Sequence, residues 1–334
     1  MHPWIDDGDA PLPALPQLKP WYRQAAVGDA LVLEHGHAAI VFAGSAATRL
    51  LPVLLPLLDG TRTVAAIVSE LGAAAEPAVL NALRLLHRRG LLLEGDGEET
   101  VESGADAASL FLAAIGRGVT VAAVRDALAR AEVAVVGTSP VADPVVDLLC
   151  RSGAGRVARA GWEEVAGGEV AFVVASPAAD ELDRLAAWNR AAVAAGTPWL
   201  QVLPFDGRFA AAGPLYVPGE TCCYECYRSR RAAASGYAEE LRALDEVPTR
   251  AGSTPAFEAV VAGVTAGLAL RWLVHRDHYL PGVFYACEAG GAALTQHRVY
   301  RTPRCPVCSG ARDAAPPLPW FKEVAAHGLA EAVR

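Results

Sequence analysis

Apolar residues recur along this chain in two ways, as short dense runs and as stripes at helical spacing, and the two alternate in a definite order. Runs at residues 30–33 and 39–42, separated by Glu34-His35-Gly36-His37, predict two strands joined by a turn. From Ser45 an apolar run through Leu50, Leu51, Val53, Leu54, Leu55, Leu57 and Leu58 is too long for a strand. It predicts a helix that Pro52 and Pro56 must kink or shift. Thr63 as N-cap, Val64, Ile67, Val68 and Leu71 at helical spacing and Gly72 as a stop predict a second helix. Pro77 in the first turn, the stripe Val79, Ala82, Leu83 and Leu86, and the stop at Gly90 predict a third, before a strand-like Leu91-Leu92-Leu93. Strands followed by three short helices make a winged-helix-like module.

Residues 95–106 carry Asp96, Glu98, Glu99, Glu102 and Asp106 with little to bury, which reads as a linker. Beyond it the pattern changes to strand-helix alternation. A helix over 121–131 leads to a strand at 133–136, a turn at Gly137, a helix through Val145 to Leu149 and a short strand near Arg156. Then come a strand at 170–174, a helix over 181–195 and a strand at 199–203, the order of a parallel α/β sheet. The domain boundaries that follow are 22–95 for the first module, 96–118 for the linker, 119–312 for the α/β domain and 313–334 for a C-terminal tail.

The chain has 334 residues, enough for two domains, and with 53% hydrophobic and 20% charged residues it can bury a sizeable core. Its formal net charge of −8 supplies no overall basic face for nucleic acid, so no nucleic-acid partner is expected. Arginine far outnumbers lysine, which occurs only as Lys19 and Lys322, so single arginines carry little weight. The start Met1-His2-Pro3-Trp4-Ile5-Asp6-Asp7 lacks the basic and apolar regions of a signal peptide, and the apolar stretch 259–270 is too short to span a bilayer. A cytoplasmic protein without a membrane segment is expected.

Seven cysteines in a reducing compartment do not suggest a disulfide framework. Cys223-Tyr-Glu-Cys226 and Cys305-Pro-Val-Cys308 are instead two C-x2-C pairs, each able to present two thiolates to one ion. Together they predict a closed, structural four-cysteine zinc (Zn2+) site that clamps the 78 intervening residues. Cys222 falls outside the spacing, and the apolar contexts of Cys150 and Cys287 predict core positions.

A strand ending at Gly137 and opening a helix is where nucleotide-binding folds place G-x-G-x-x-G. Here the sequence is Gly137-Thr138-Ser139-Pro140-Val141-Ala142, with one glycine left, a side chain at Ser139 and an N–H lost at Pro140. No acidic ribose ligand closes the next strand, since Glu163 and Glu164 come late. ATP is not expected to be used by this chain. Residues 227–253, rich in arginine, read as a mobile or solvated surface segment. The small-residue helix after Thr254-Pro255 admits either a subunit interface, as in a homodimer, or a core position.

Two features carry a resemblance. Leu57-Leu58-Asp59-Gly60-Thr61-Arg62-Thr63, within the winged-helix-like module, resembles the PqqD-like element that binds leader peptides of ribosomal natural products. The run from Gly213 through Pro218-Gly219-Glu220-Thr221-Cys222-Cys223-Tyr224-Glu225-Cys226, with Cys305 and Cys308, resembles the ThiF-like, ubiquitin-activating-enzyme superfamily of Rossmann-type α/β domains. Their fusion is similar to the ocin-ThiF-like partner protein of azoline-forming cyclodehydratases in RiPP biosynthesis. The resemblance implies a non-catalytic subunit that captures a precursor's leader peptide and delivers it to a YcaO cyclodehydratase, for an azole peptide such as a thiopeptide. It also implies that the leader adds as a strand to Ala39, Ile40, Val41 and Phe42, with Asn81, Arg84, His87 and Arg88 on the facing side of the third helix. Two other readings stand beside it: an ATP-dependent adenylating enzyme of the ThiF class, and a winged-helix DNA regulator.

Overall fold

The computed structural model describes residues 11–35, 38–97, 104–116, 119–168, 170–244, 247, 251–291 and 293–309. These fall into two compact units. One holds the described residues up to Ala131 with 151–155 and 273–275, and the other holds the rest. The expected tail, 313–334, lies outside the described residues, as do 98–103 and 117–118 of the expected linker.

The first unit runs β1 (Pro16–Leu18), β2 (Arg23–Val27), β3 (Ala30–His35), β4 (Ala38–Ala43), α1 (Ser45–Leu54), α2 (Val64–Leu71), α3 (Glu76–Arg88), β5 (Leu92–Glu94), α4 (Gly104–Ile115) and α5 (Val121–Ala129). Strands β2, β3 and β4 form an antiparallel sheet in that order, and β1 pairs with β5. Alternation along the strands sends Leu31, Leu33 and Phe42 into one core with Leu54, Ile67, Val79, Leu83 and Leu86. Spacings of four and three put Val79, Leu83 and Leu86 on one stripe of α3, and the Thr63 hydroxyl caps α2 by accepting from Ala66 N–H at 3.1 Å. Pro52 lies inside α1, whereas Pro56 falls in a 3-10 turn that ends the run. The stretch expected as a linker contains α4, so residues 96–118 are not wholly extended connection. Apolar Leu110, Leu112, Ala113 and Ala114 on α4 are buried, which the acidic residues before it obscured.

The Asp59-Gly60-Thr61-Arg62 segment is a packing joint. Asp59 accepts from the Thr61 amide at 2.9 Å and hydroxyl at 2.7 Å and pairs with Arg62. Burial alone would raise its carboxyl, but these bonds outweigh it and hold the group below the usual range. Gly60 has φ +82° and lies so close to Gly95 that a side chain on Gly95 would strike the Gly60 backbone at 2.4 Å.

The second unit runs β6 (Glu132–Val136), α6 (Ala142–Arg151), β7 (Arg156–Arg159), α7 (Trp162–Gly167), β8 (Phe172–Ala175), α8 (Leu182–Ala195), β9 (Trp199–Leu203), β10 (Phe209–Tyr216), α9 (Tyr224–Ser235), α10 (Ala238–Leu244), α11 (Pro255–His275), β11 (Val283–Glu288) and β12 (Ala293–Arg298). Its seven-stranded sheet has the order β12-β11-β10-β9-β8-β6-β7. Strands β7, β6, β8 and β9 are parallel, as the alternation predicted. Beyond them β10, β11 and β12 extend the sheet in antiparallel fashion, a part the alternation did not cover. Strand β10 is an alanine-rich run without alternation and β12 is almost wholly exposed, so neither carried a strand signal.

Three further expectations change. Residues 227–253 are not simply a loop, since most of α9 and all of α10 lie there. Cys150 is exposed, one position past the buried Leu149 and thus turned off the apolar face of α6. Helix α11 is 21 residues long, longer than its apolar stretch suggested and enough to cross a bilayer by length and composition. It buries Val261, Ala262, Thr265, Ala266, Leu268, Ala269 and Trp272, while Val260 is exposed, so part of its surface packs in the core.

Candidate functional site

The four-cysteine cluster is built from two turns distant in sequence. Cys223 is the N-cap of α9 and Cys226 lies in the first turn, so their thiols share one side of the helix start. Cys305 and Cys308 come from the turn after β12, closed by Cys305 N–H to Thr302 O at 3.2 Å and Ser309 N–H to Cys305 O at 3.1 Å. The structure brings all four sulfurs within 4.8 Å of one another. Separations of 3.9 Å (Cys223–Cys226), 3.7 Å (Cys223–Cys305) and 3.5 Å (Cys226–Cys308) suit four thiolates around one metal ion. A tetrahedron with about 2.3 Å bonds places its corners about 3.8 Å apart.

The thiols of Cys223, Cys226 and Cys308 differ in proton affinity. The hydrogen bond from Cys223 lowers Cys226 to about 4, aided by the Thr302 amide, which donates to its sulfur at 3.3 Å. The same bond, then burial, pushes Cys223 up, while burial first and Cys226 second raise Cys308 to about 12. Cys222, the residue outside the C-x2-C spacing, is buried outside this cluster, and burial raises its thiol to about 12.

The turn after β6 is filled from within. Gly137 has φ +93°, and a side chain there would meet the Ser176 carbonyl at 2.2 Å, so this glycine serves close packing of β6 on the chain leaving β8. Ser139 is 5% exposed. Its hydroxyl lies 2.6 Å from that of Ser176 and accepts from Val141 N–H at 3.3 Å. One amide of this turn, that of Thr138, meets the carboxylate of Glu181, itself 7% exposed. Glu181 accepts from Thr138 N–H at 2.7 Å, the Thr138 hydroxyl at 2.9 Å, Ala178 N–H at 2.8 Å and the Trp162 indole at 3.1 Å. Burial alone would raise its carboxyl, but the bonds from Ala178, Thr138 and Trp162 prevail and hold it below the usual glutamate range. Of the two late acidic residues, Glu164 accepts from Gly161 N–H at 3.2 Å and so caps α7. No sequence motif singled out Glu181. It lies 43 residues from the amide it binds, and only the pairing of β6 with β8 joins them.

In the first unit, Ala39 to Phe42 lie in β4, which ends its sheet and pairs only with β3 among the described strands. Their side chains alternate. Ala39 and Val41 are exposed, Ile40 is half-buried and Phe42 is in the core, so Phe42 can offer an incoming chain its backbone alone. On α3, Asn81, Arg84 and Arg88 are exposed. His87 is half-buried beside the buried stripe, which corrects its expected place on the open face.

No known protein family matches the chain and no curated protein matches it. Solved structures do. The heterocyclase TruD is 23% identical, with a TM-score of 0.64, over 89% of this chain and 43% of TruD. Escherichia coli MccB with AMPCPP and MccA is 17% identical, with a TM-score of 0.66, over 88% of this chain and 99% of MccB. The chain shares their fold. MccB bound to ATP matches over the same span with a TM-score of 0.65. A heterocyclase in complex with substrate and cofactor matches at 22% identity over 89% of this chain and 40% of its own, so the chain spans less than half the length of either heterocyclase.

Proposed function

We propose that this chain is a leader-peptide-binding subunit that presents a ribosomal precursor peptide to a YcaO-type cyclodehydratase for azoline formation. The observation that carries the reading is the outer edge of β4, unpaired among the described residues, in a three-stranded sheet followed by three helices. An extended peptide gains main-chain hydrogen bonds by pairing there, and alternate side chains then meet the neighbouring surface. In this reading residues 22–95 of the first unit are a PqqD-like, winged-helix-like recognition element. The exposed Arg84 and Arg88, one turn apart, attract an acidic leader and set its register. The second unit is a ThiF-like scaffold whose four cysteines, Cys223, Cys226, Cys305 and Cys308, hold a structural zinc ion with no open position for a catalytic water.

The likeness to part of a heterocyclase supports the reading, because ring formation then belongs to a separate partner chain. The carboxylate of Glu181 at the Gly137 turn also supports it, since that position is lost to phosphate. A second reading, an adenylating enzyme, draws on the shared fold with MccB, for which complexes with AMPCPP and with ATP are known. Pyrophosphate exchange by the purified chain alone would favour it.

The test is a titration of the full chain with the leader encoded beside it, at low and high salt. Reversing both charges, Arg84→Glu with Arg88→Glu, is expected to weaken binding about tenfold at low salt, where two exposed charge contacts contribute about 1 kcal/mol or less each. The gap should narrow at high salt. Unchanged affinity in a folded double variant removes these arginines as anchors, and no binding by the wild type contradicts the recruiting role.

A further inference from the structure

The crevice at the carboxyl ends of β6, β8 and β9 is where open α/β sheets take ligands, because the connections diverge there. In this chain it is a cavity of about 260 Å³, somewhat below the roughly 300 Å³ at which pockets for drug-sized ligands begin, so its occupant is about one residue in size. Val141, Leu203, Phe205, Phe257 and Val261 give it apolar walls. Phe205 and Phe257 stand edge to face with centroids 5.4 Å apart. Its polar lining is largely engaged, since the Ser139 hydroxyl is held by Ser176 and the Ser253 hydroxyl donates to Glu258 at 2.8 Å. That bond uses one oxygen of Glu258 and leaves the second without a hydrogen bond among the described residues.

The chemistry is thus two aromatic rings and aliphatic walls around one carboxylate, with a second carboxylate, Glu181, closing the adjoining turn. A polyphosphate would face both carboxylates, one of which already holds the amides of Thr138 and Ala178. An ammonium finds the free oxygen of Glu258 and the electron-rich faces of the rings, while an apolar body displaces water from the walls.

We propose that this crevice is a binding site for a small organic amine, a protonated ammonium on an aromatic or branched apolar body. The amine is either a free small molecule or an amine-bearing residue of the precursor peptide. The site lies in the second unit and stands apart from the leader-binding role of β4.

The probe is 2-phenylethylamine added to the full-length protein, followed by saturation-transfer NMR and calorimetry, with 3-phenylpropionate as the anion of similar shape and Mg-ATP as competitor. Saturable binding of the amine is expected, with the propionate at least tenfold weaker and no displacement by Mg-ATP. Glu258→Gln is expected to weaken the amine about tenfold, the effect of losing one hydrogen bond to a charged group. The propionate comparison needs no variant, so it stands even if the substitution perturbs folding. Displacement of the amine by the precursor peptide assigns the site to a peptide residue, and its persistence assigns it to a free amine. Absence of binding, equal binding of the propionate, displacement by Mg-ATP, or an unchanged affinity in folded Glu258→Gln each overturns the proposal. Leader affinity measured in the same samples separates the two claims, since amine binding without leader binding contradicts only the recruiting role.

Discussion

Replacing Cys226 by serine is expected to cost the second unit on the order of 5 kcal/mol, because loss of a structural metal belongs to the few single changes of that size. The cluster joins the start of α9 to the turn after β12, and the buried sulfurs of Cys223, Cys226 and Cys305 also pack in the core with Trp199 and Tyr216. Removing one ligand leaves three thiols crowded in an apolar site and frees both turns together. Binding of structural zinc by small peptides is worth about 10–16 kcal/mol, comparable with the total stability of a domain. A unit with its own core should keep part of its structure. A fall of about 10–20 °C in melting temperature is expected for the serine variant, at about 2–4 °C per kcal/mol. A strong chelator should reproduce it in the wild type, and added zinc should reverse the chelator's effect alone. If neither chelator nor substitution moves the melting temperature, the cluster does not hold a structural ion.

Glu181→Ala is expected to destabilise the second unit by about 2–3 kcal/mol, since it strands the buried Trp162 indole at about 1–3 kcal/mol and takes a partner from the part-buried amides of Thr138 and Ala178. The direction of its proton affinity adds a pH signature. The folded protein holds this carboxyl below its unfolded value, so its contribution is fully present above the ordinary glutamate value of about 4.3. It is lost as the pH falls through the lower folded value. The gap between wild type and variant in urea unfolding should therefore be wide at pH 7 and shrink below about pH 4. A gap that stays constant on acidification means the carboxylate charge is not what the turn requires. Mg-ATP should raise the melting temperature of neither protein, because binding to the folded state alone always stabilises it. A rise in the wild type contradicts the reading of the Gly137 turn.

Local signals were legible in the sequence where one residue type decides the backbone. Thr63 and Gly90 bound helices as expected, and the two C-x2-C pairs name the residues that the structure brings together. Strand β2, Arg-Gln-Ala-Ala-Val, has no alternation and is exposed along its length, so only pairing with β3 makes it a strand. Strand β12 was hidden for the same reason, whereas the alanine-rich β10 is buried but shows no alternation. The weakened glycine motif was visible, but not the carboxylate that binds the turn, because Glu181 reaches it only through the strand order. The dense apolar run that predicted β4 does not alternate, so it did not show which face is closed; in the structure Phe42 packs inward while Val41 is 61% exposed.

The most direct test of the recruiting role is amide hydrogen exchange of the full-length chain with and without the leader peptide. Pairing of the leader with the open strand should slow exchange at alternate amides between Ala39 and Phe42, with the Gly137 turn unchanged. Leader binding that leaves these amides exchanging as before, or protects the Gly137 turn instead, contradicts the account.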